Sequence, residues 1–309
     1  MMEKFKDTFN DTRNDMLNDT RNDRLSDKLF ALLFALLLAA VCQAPLHAHE
    51  FWIAPVTAPL VAGSTARLSL RVGEQFTGDV VGWSKPQTAG LRLVSKAGAQ
   101  DISMQVPATP VADLPIALAA PGTYLVAFES QPHTISLSAD RFHAYLHDEG
   151  LDFVKAQREA AGQAKQPGRE RYRRYVKTLL AVKGGEAEVA SATVHAQTLG
   201  QRLELVPINN PLDLLPGEAL RIQVLFEGEP LQGALLKAWH KSSGQASGQT
   251  TVIRATTNAE GMTSVTLPFS GAWMVSLVHM VRATGATGVR GVDWDSLWGN
   301  LSFVVTDKK

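Results

Sequence analysis

TARLSLRV, residues 65–72, alternates polar and apolar side chains along its length. Side chains of an extended strand point to opposite faces with a period of two, so this stretch predicts a strand with one buried face. The same reading extends outward to residues 91–95, 102–106, 123–129 (TYLVAFE) and 133–137. Gly-, Pro- and Ala-rich turns separate them, with Pro121-Gly122 just ahead of TYLVAFE. Short strands at spacings of about ten residues, with no long helical pattern among them, predict a β-sandwich over residues 49–140.

The middle of the chain changes character. Residues 142–155 and 168–182 are rich in helix formers, with a breaker at 162–168. In RERYRRYVKTLLAV (169–182), Tyr172, Tyr175, Val176, Leu179 and Leu180 fall at helical spacing, which predicts an amphipathic helix. Residues 141–198 therefore read as a helical connector. Strand patterns return at 202–206, 219–226, 235–240, 250–255, 262–267, 273–279 and 301–305. Turn sequences at 227–230 (EGEP) and 258–261 (NAEG) lie between them. The expected architecture is mainly β, with two β-sandwich domains, Ig-like or transthyretin-like, at 49–140 and 199–309. A short helical segment joins them.

Residues 29–41 (LFALLFALLLAAV) form an apolar run. It falls short of the roughly 20 residues a membrane span needs, and it suits the core of a signal peptide. Arg21, Arg24 and Lys28 precede it, and Leu46-His47-Ala48 follows with a small residue at the cleavage position. Cleavage after Ala48 makes His49 the first mature residue and predicts a periplasmic protein with no transmembrane segment. Residues 1–28 repeat NDTRND at 10–15 and 18–23 and are too polar to build a core. They read as an extended targeting region or as a start upstream of the true one, with Met16 as an alternative. The single cysteine, Cys42, leaves with the signal peptide, so the mature chain has neither disulfides nor thiolate metal ligands. Thirty basic against thirty acidic residues leave no net charge to recruit nucleic acid or an anionic membrane.

The mature N-terminus is the sharpest chemical feature. An N-terminal histidine offers an α-amine and an imidazole that chelate one metal in a small ring. The amine's pKa of about 8 lets a metal displace its proton at neutral pH. Nitrogen-rich sites suit Ni²⁺, Co²⁺ and Cu²⁺. Glu50, the next residue, is a carboxylate ligand or an orienting partner. His143 and His147 stand four apart in FHAYLHDEGLDF, a spacing that places both imidazoles on one helix face. It is also the pattern of an exposed, polar helix start. His240 and His279 each end an apolar strand and are either further ligands or ordinary satisfied strand-end residues. No GxSxG, HExxH or glycine-rich phosphate loop occurs, so no catalytic signature supports an enzyme. The six tryptophans read as core packing or as the lining of a ligand groove.

AHEFWIAP (48–55), FHAYLHDEGLD (142–152), RERYRRYVKTLL (169–180), the stretch 199–234, NAEGMTSVTLPFSGAWMVSLVHM (258–280) and DWDSLWGNLSF (293–303) run through the mature chain in order. Together they resemble the domain-of-unknown-function family 4198, exported bacterial proteins described as periplasmic components of nickel or cobalt uptake. The resemblance implies a mature chain that begins with histidine, an acidic residue, an aromatic or apolar residue and tryptophan. Here these are His49, Glu50, Phe51 and Trp52. GEPLQGA (228–234), NAEG and LPFSGAW (267–273) also resemble a transthyretin-like or carboxypeptidase-regulatory sandwich. His143 and His147 depart from the family pattern.

These readings converge on a non-enzymatic periplasmic protein that holds Ni²⁺ or Co²⁺ at His49 and serves a membrane metal transporter. Glu50 and His279 or His240 would complete the shell. Two alternatives stay open: a copper protein with an N-terminal histidine brace, and a structural or adhesive envelope module without metal.

Overall fold

The alternation of residues 65–72 is realised in the strand Ser64–Glu74, where Ala66, Leu68 and Leu70 are buried while Thr65 and Arg67 are exposed. The computed structural model describes residues 50–56, 58–184, 193–241, 250–284 and 291–307. In chain order the strands begin with β1 (Glu50–Pro55), β2 (Leu60–Val61), β3 (Ser64–Glu74), β4 (Thr77–Val81), β5 (Thr88–Ser95) and β6 (Gly98–Asp101). They continue with β7 (Asp113–Leu118), β8 (Gly122–Ser130) and β9 (His133–Leu137). Two helices, α1 (Ala139–Asp148) and α2 (Asp152–Ala160), precede the long strand β10 (Gly168–Lys183). After it come β11 (Leu203–Pro207), β12 (Ala219–Phe226), β13 (Glu229–Pro230) and β14 (Leu235–Lys241). The last are β15 (Thr251–Thr256), β16 (Met262–Thr266), β17 (Gly271–Arg282) and β18 (Trp294–Val305).

Three sheets result. A ten-stranded sheet runs β15-β14-β17-β18-β10-β8-β5-β6, with β2 and β9 also paired to β10. One four-stranded sheet is built around β3, which pairs with β1, β4 and β7. The other is built around β12, which pairs with β11, β13 and β16. Both small sheets pack on the large one, on opposite faces. Val176, Leu180 and Val182 of β10 join the core under β3, whereas Tyr175 and Leu179 join the core under β12. The two helices share the β3 face and cover β17 and β18 through Phe142, Tyr145, Leu146, Val278, Met280 and Trp294. The β3 side is called the front and the β12 side the back.

Two expectations are corrected here. Residues 168–182 form a strand, not a helix, and this strand is the spine of the molecule. The pairs Tyr175–Val176 and Leu179–Leu180 sit at helical spacing, but a strand buried on both faces also buries neighbours in pairs. Tyr, Val and Thr at 172, 175, 176, 178 and 182 are strand formers. Among the described residues of 141–198, the helices are therefore α1, α2 and a single 3₁₀ turn at Val194–Ala196, and the described residues from Glu50 onward fall in one compact unit. Residues 102–106 form no strand; Ser103–Gln105 is a single 3₁₀ turn. Among the described residues, no helix is long and apolar enough to cross a membrane.

β1 lies across the front of the large sheet and is moored there by side chains. Asn300 Nδ2 donates to the Phe51 carbonyl, and Ser302 Oγ donates to the Ile53 carbonyl at 2.8 Å. These two bonds fix where the chain enters the fold.

A polar cleft at the start of the first strand

Of the residues singled out from sequence, His49 lies outside the described residues, and Glu50 is the first one described. Glu50 opens β1 opposite Gly73 of β3 and is buried. His240 and His279 face the back. His240 is buried against Trp273 at 4.7 Å between ring centres, and its Nε2 meets the Ser270 carbonyl at 2.7 Å. His279 packs on Phe226 at 4.6 Å, and burial pushes its imidazole down to about 4. The large sheet therefore stands between these two histidines and Glu50. His147 on α1 is exposed and pairs with Asp152 at 3.1 Å, while His143 Nε2 is buried without a hydrogen-bond partner. Among the described residues, no group of three or more His, Cys, Asp or Glu is arranged to hold a metal.

Glu50 instead borders a small cleft lined by Phe51, Glu149, Arg174, Ser276, Trp298 and Asn300. Its volume is about 10 Å³, room for roughly one water molecule or ion. Four segments supply the walls: the start of β1, the end of α1, and the front faces of β10 and of β17 with β18. Glu149 caps α1 and is held by Lys237 Nζ at 2.9 Å, an ammonium shared with Asp148 at 2.9 Å. Burial pushes the Glu149 carboxyl up from its usual range, and the Lys237 charge opposes the shift. Burial raises Glu50 to about 7, with the Glu149 carboxylate adding to the effect. The Arg174 guanidinium lies over Phe51 at 4.8 Å, Tyr172 at 5.4 Å and Trp298 at 5.6 Å, and Trp298 stacks in turn on Tyr145. Desolvation lowers the pKa of Arg174, and the neighbouring tyrosines and Glu50 counter it.

The cleft is the outer end of a polar stripe. Trp294, Ser296, Trp298 and Asn300 occupy alternate front-facing positions of β18, and each carries a buried N or O atom with no hydrogen-bond partner among the described residues. Glu170 of β10 stands opposite Trp294 in the parallel pairing of β10 with β18. Its carboxylate neighbours the Ser296 and Tyr145 hydroxyls, yet burial dominates and raises it to about 7. Its Oε2 has no direct partner, and neither does Glu50 Oε2. Buried polar groups are normally paired, so such a concentration on one surface is chemically unusual. Sequence reasoning passed over Glu149, Glu170, Arg174 and Asn300. The signal was present in WDSLWGN, where tryptophan, serine, tryptophan and asparagine recur with a period of two, the mark of one strand face.

A family model described as "Domain of unknown function (DUF4198)" matches residues 46–281. The chain belongs to this family. The DUF4198 region includes Glu50, Glu149 and Arg174 and stops before β18, the strand that supplies Trp298 and Asn300. A search of curated proteins returns no match. Among solved structures, the chain is similar at 10% identity to a tetra-tandem repeat in the extending region of a large adhesion protein, with TM-score 0.22 and coverage of 84% of this chain and 50% of that one. Trypsin-activated alpha-2-macroglobulin from Escherichia coli gives 10% identity and TM-score 0.22, covering 85% of this chain and 16% of that one. Dimeric latent PorU from Porphyromonas gingivalis gives 9% identity and TM-score 0.17, covering 84% and 20%. The chain thus spans half or less of each of these proteins.

Proposed function

We propose that this DUF4198 chain is an exported periplasmic protein that binds one transition-metal ion, Ni²⁺ or Co²⁺, at its mature N-terminus. The observation that carries the reading is Glu50, whose buried carboxylate leaves Oε2 without a partner at an ion-sized cleft. Glu50 is one peptide bond from His49, the residue that signal cleavage would convert into an amine-and-imidazole chelator. A buried carboxylate oxygen without a donor is costly, and a cation beside it removes that cost. The residues present fit such an ion. Glu50 and Glu149 offer carboxylate oxygens, and His49 offers two nitrogens. His240 and His279 lie on the other face of the large sheet from Glu50, so oxygen ligands rather than these imidazoles complete the shell. That arrangement also weighs against a copper brace built from His49 with either of them. The bound ion would be handed to a membrane metal transporter, and no catalysis is required of the protein.

Isothermal titration of the mature protein, beginning at His49, with Ni²⁺, Co²⁺, Cu²⁺ and Zn²⁺ tests the reading. A single site for Ni²⁺ and Co²⁺ is expected, weakened by about tenfold or more when one alanine is added ahead of His49. Unchanged affinity in the extended protein would overturn the N-terminal site.

A further inference from the structure

Leu137 of β9 and Gly168 of β10 are paired, so residues 138–167 leave the sheet and rejoin it at one point. This excursion holds both helices and covers the front of β17 and β18. It is tied together internally: Arg158, buried, donates through Nη2 to the Gln163 carbonyl at 2.9 Å and to that of Gln166, and the Leu151 N–H donates to the Leu146 carbonyl at 2.7 Å. Beside the apolar contacts of Phe142, Leu146 and Val154 stands a polar triad. The Glu170 carboxyl of the sheet meets the Tyr145 hydroxyl of α1 and the Ser296 hydroxyl of β18, and those two hydroxyls also meet each other. The charged or titratable groups facing Glu170 are Tyr145 from α1 and Arg174 from its own strand, while β9 pairs Ile135 with it. Glu170 Oε2 has no hydrogen-bond partner among the described residues. An ionised carboxylate buried there is costly, and burial outweighs the help of Ser296, Tyr145 and Arg174. Lifting the excursion gives that carboxylate water.

We propose that residues 138–167 are a lid, hinged at the Leu137–Gly168 pair, which opens as a unit when Glu170 loses its proton. Opening unstacks Tyr145 from Trp298, breaks the bonds of Lys237 to Asp148 and Glu149, and carries Glu149 away from the cleft it lines. Those bonds and the apolar contacts keep the closed form predominant, so pH changes how often the lid lifts rather than which form prevails. The closed form holds the Glu170 proton between about pH 4.5 and 7, and the open form does not. Opening therefore grows as pH rises through that window and levels off above it. The cleft is thus more accessible at neutral than at acid pH. The lid needs no ion in the cleft to work.

Amide hydrogen exchange of the metal-free protein between pH 5 and 7, expressed as protection factors, tests the lid. The amides of α1 and α2 are expected to form one group, less protected than those of β8 and β12 by about tenfold or more. Their opening constant should rise by about thirtyfold between pH 5 and 7. In Glu170→Gln, which keeps the shape without the charge, that rise should shrink by about tenfold, the residue coming from Glu149. Tyr145→Phe keeps the ring on Trp298 but removes a hydroxyl that favours the ionised carboxyl, so it should open the lid further at pH 7 than at pH 5. Protection of α1 and α2 equal to that of β8 and β12 would show that the helices open only in global unfolding, and would overturn the lid. A pH dependence undiminished in Glu170→Gln, or a Tyr145→Phe effect equal at both pH values, would overturn the role of Glu170.

Discussion

Glu170 sits at the inner end of the polar stripe, packed beside Trp294 and Tyr145, and burial holds its carboxyl at about 7. The folded protein therefore keeps a proton on Glu170 over a range where the unfolded chain, with the ordinary value near 4.5, has released it. The sign follows directly. The folded-state pKa is raised, so the contribution is complete below about pH 4.5 and is lost as pH rises toward 7. For a shift of this size the loss amounts to about 3 kcal/mol. Glu50 titrates in the same range for the same reason. Glu170→Gln keeps the shape and removes the charge, so it should make the metal-free protein more stable at pH 8. The fall in melting temperature between pH 4.5 and 8 should become shallower by roughly half. An unaltered slope in that variant would mean that Glu170 is not buried as described. Glu170 is not legible in sequence because it lies in a run of arginines within a stretch whose spacing reads as an amphipathic helix. Only the burial of both faces of β10 makes its carboxyl exceptional.

β10 is the element on which the fold depends. Its back face carries Lys177, whose Nζ reaches Glu204 Oε1 at 2.6 Å with both side chains almost fully buried. Glu204 also accepts the backbone N–H groups of Leu199 at 2.6 Å and Gly200 at 3.0 Å, so it ties the segment before β11 to the central sheet. Removing one partner of a buried pair leaves the other charge uncompensated, so Lys177→Met should cost about 3–5 kcal/mol. Chemical denaturation measures this, and a cost below about 1 kcal/mol would show that the pair is dispensable. The strands with one polar face were legible because alternation reports them directly, as in β3, and those ended by clear turns, as in β8 and β12, were legible too. β10 was not. A strand buried on both sides places large residues next to each other, and over a few residues this matches the helical period. Its pairing with β18 joins Glu170 to Trp294, partners too far apart in sequence for any local pattern to reveal.

At the scale of the molecule, the candidate site draws on four separate segments. His49 and Glu50 were legible as chemistry because the apolar run at 29–41 implies a cut after Ala48. Glu149, Arg174 and Asn300 were not, since nothing local distinguishes a carboxylate at a helix end or an asparagine in a strand. They meet only because β1 crosses β18 and α1 ends over β14, where Lys237 holds Glu149 in place. The same topology puts His240 and His279 on the back, although their strand-end positions resembled those of ligands. Of the N-terminal pair, Glu50 is thus placed at a cleft whose other walls only the tertiary fold selects. The native intact mass of the protein recovered from the periplasm of nickel-supplemented cells tests the start of the chain and its ion at once. The account predicts a chain beginning at His49 that carries one Ni²⁺ ion. A chain beginning elsewhere, or one beginning at His49 that retains no metal, would contradict it.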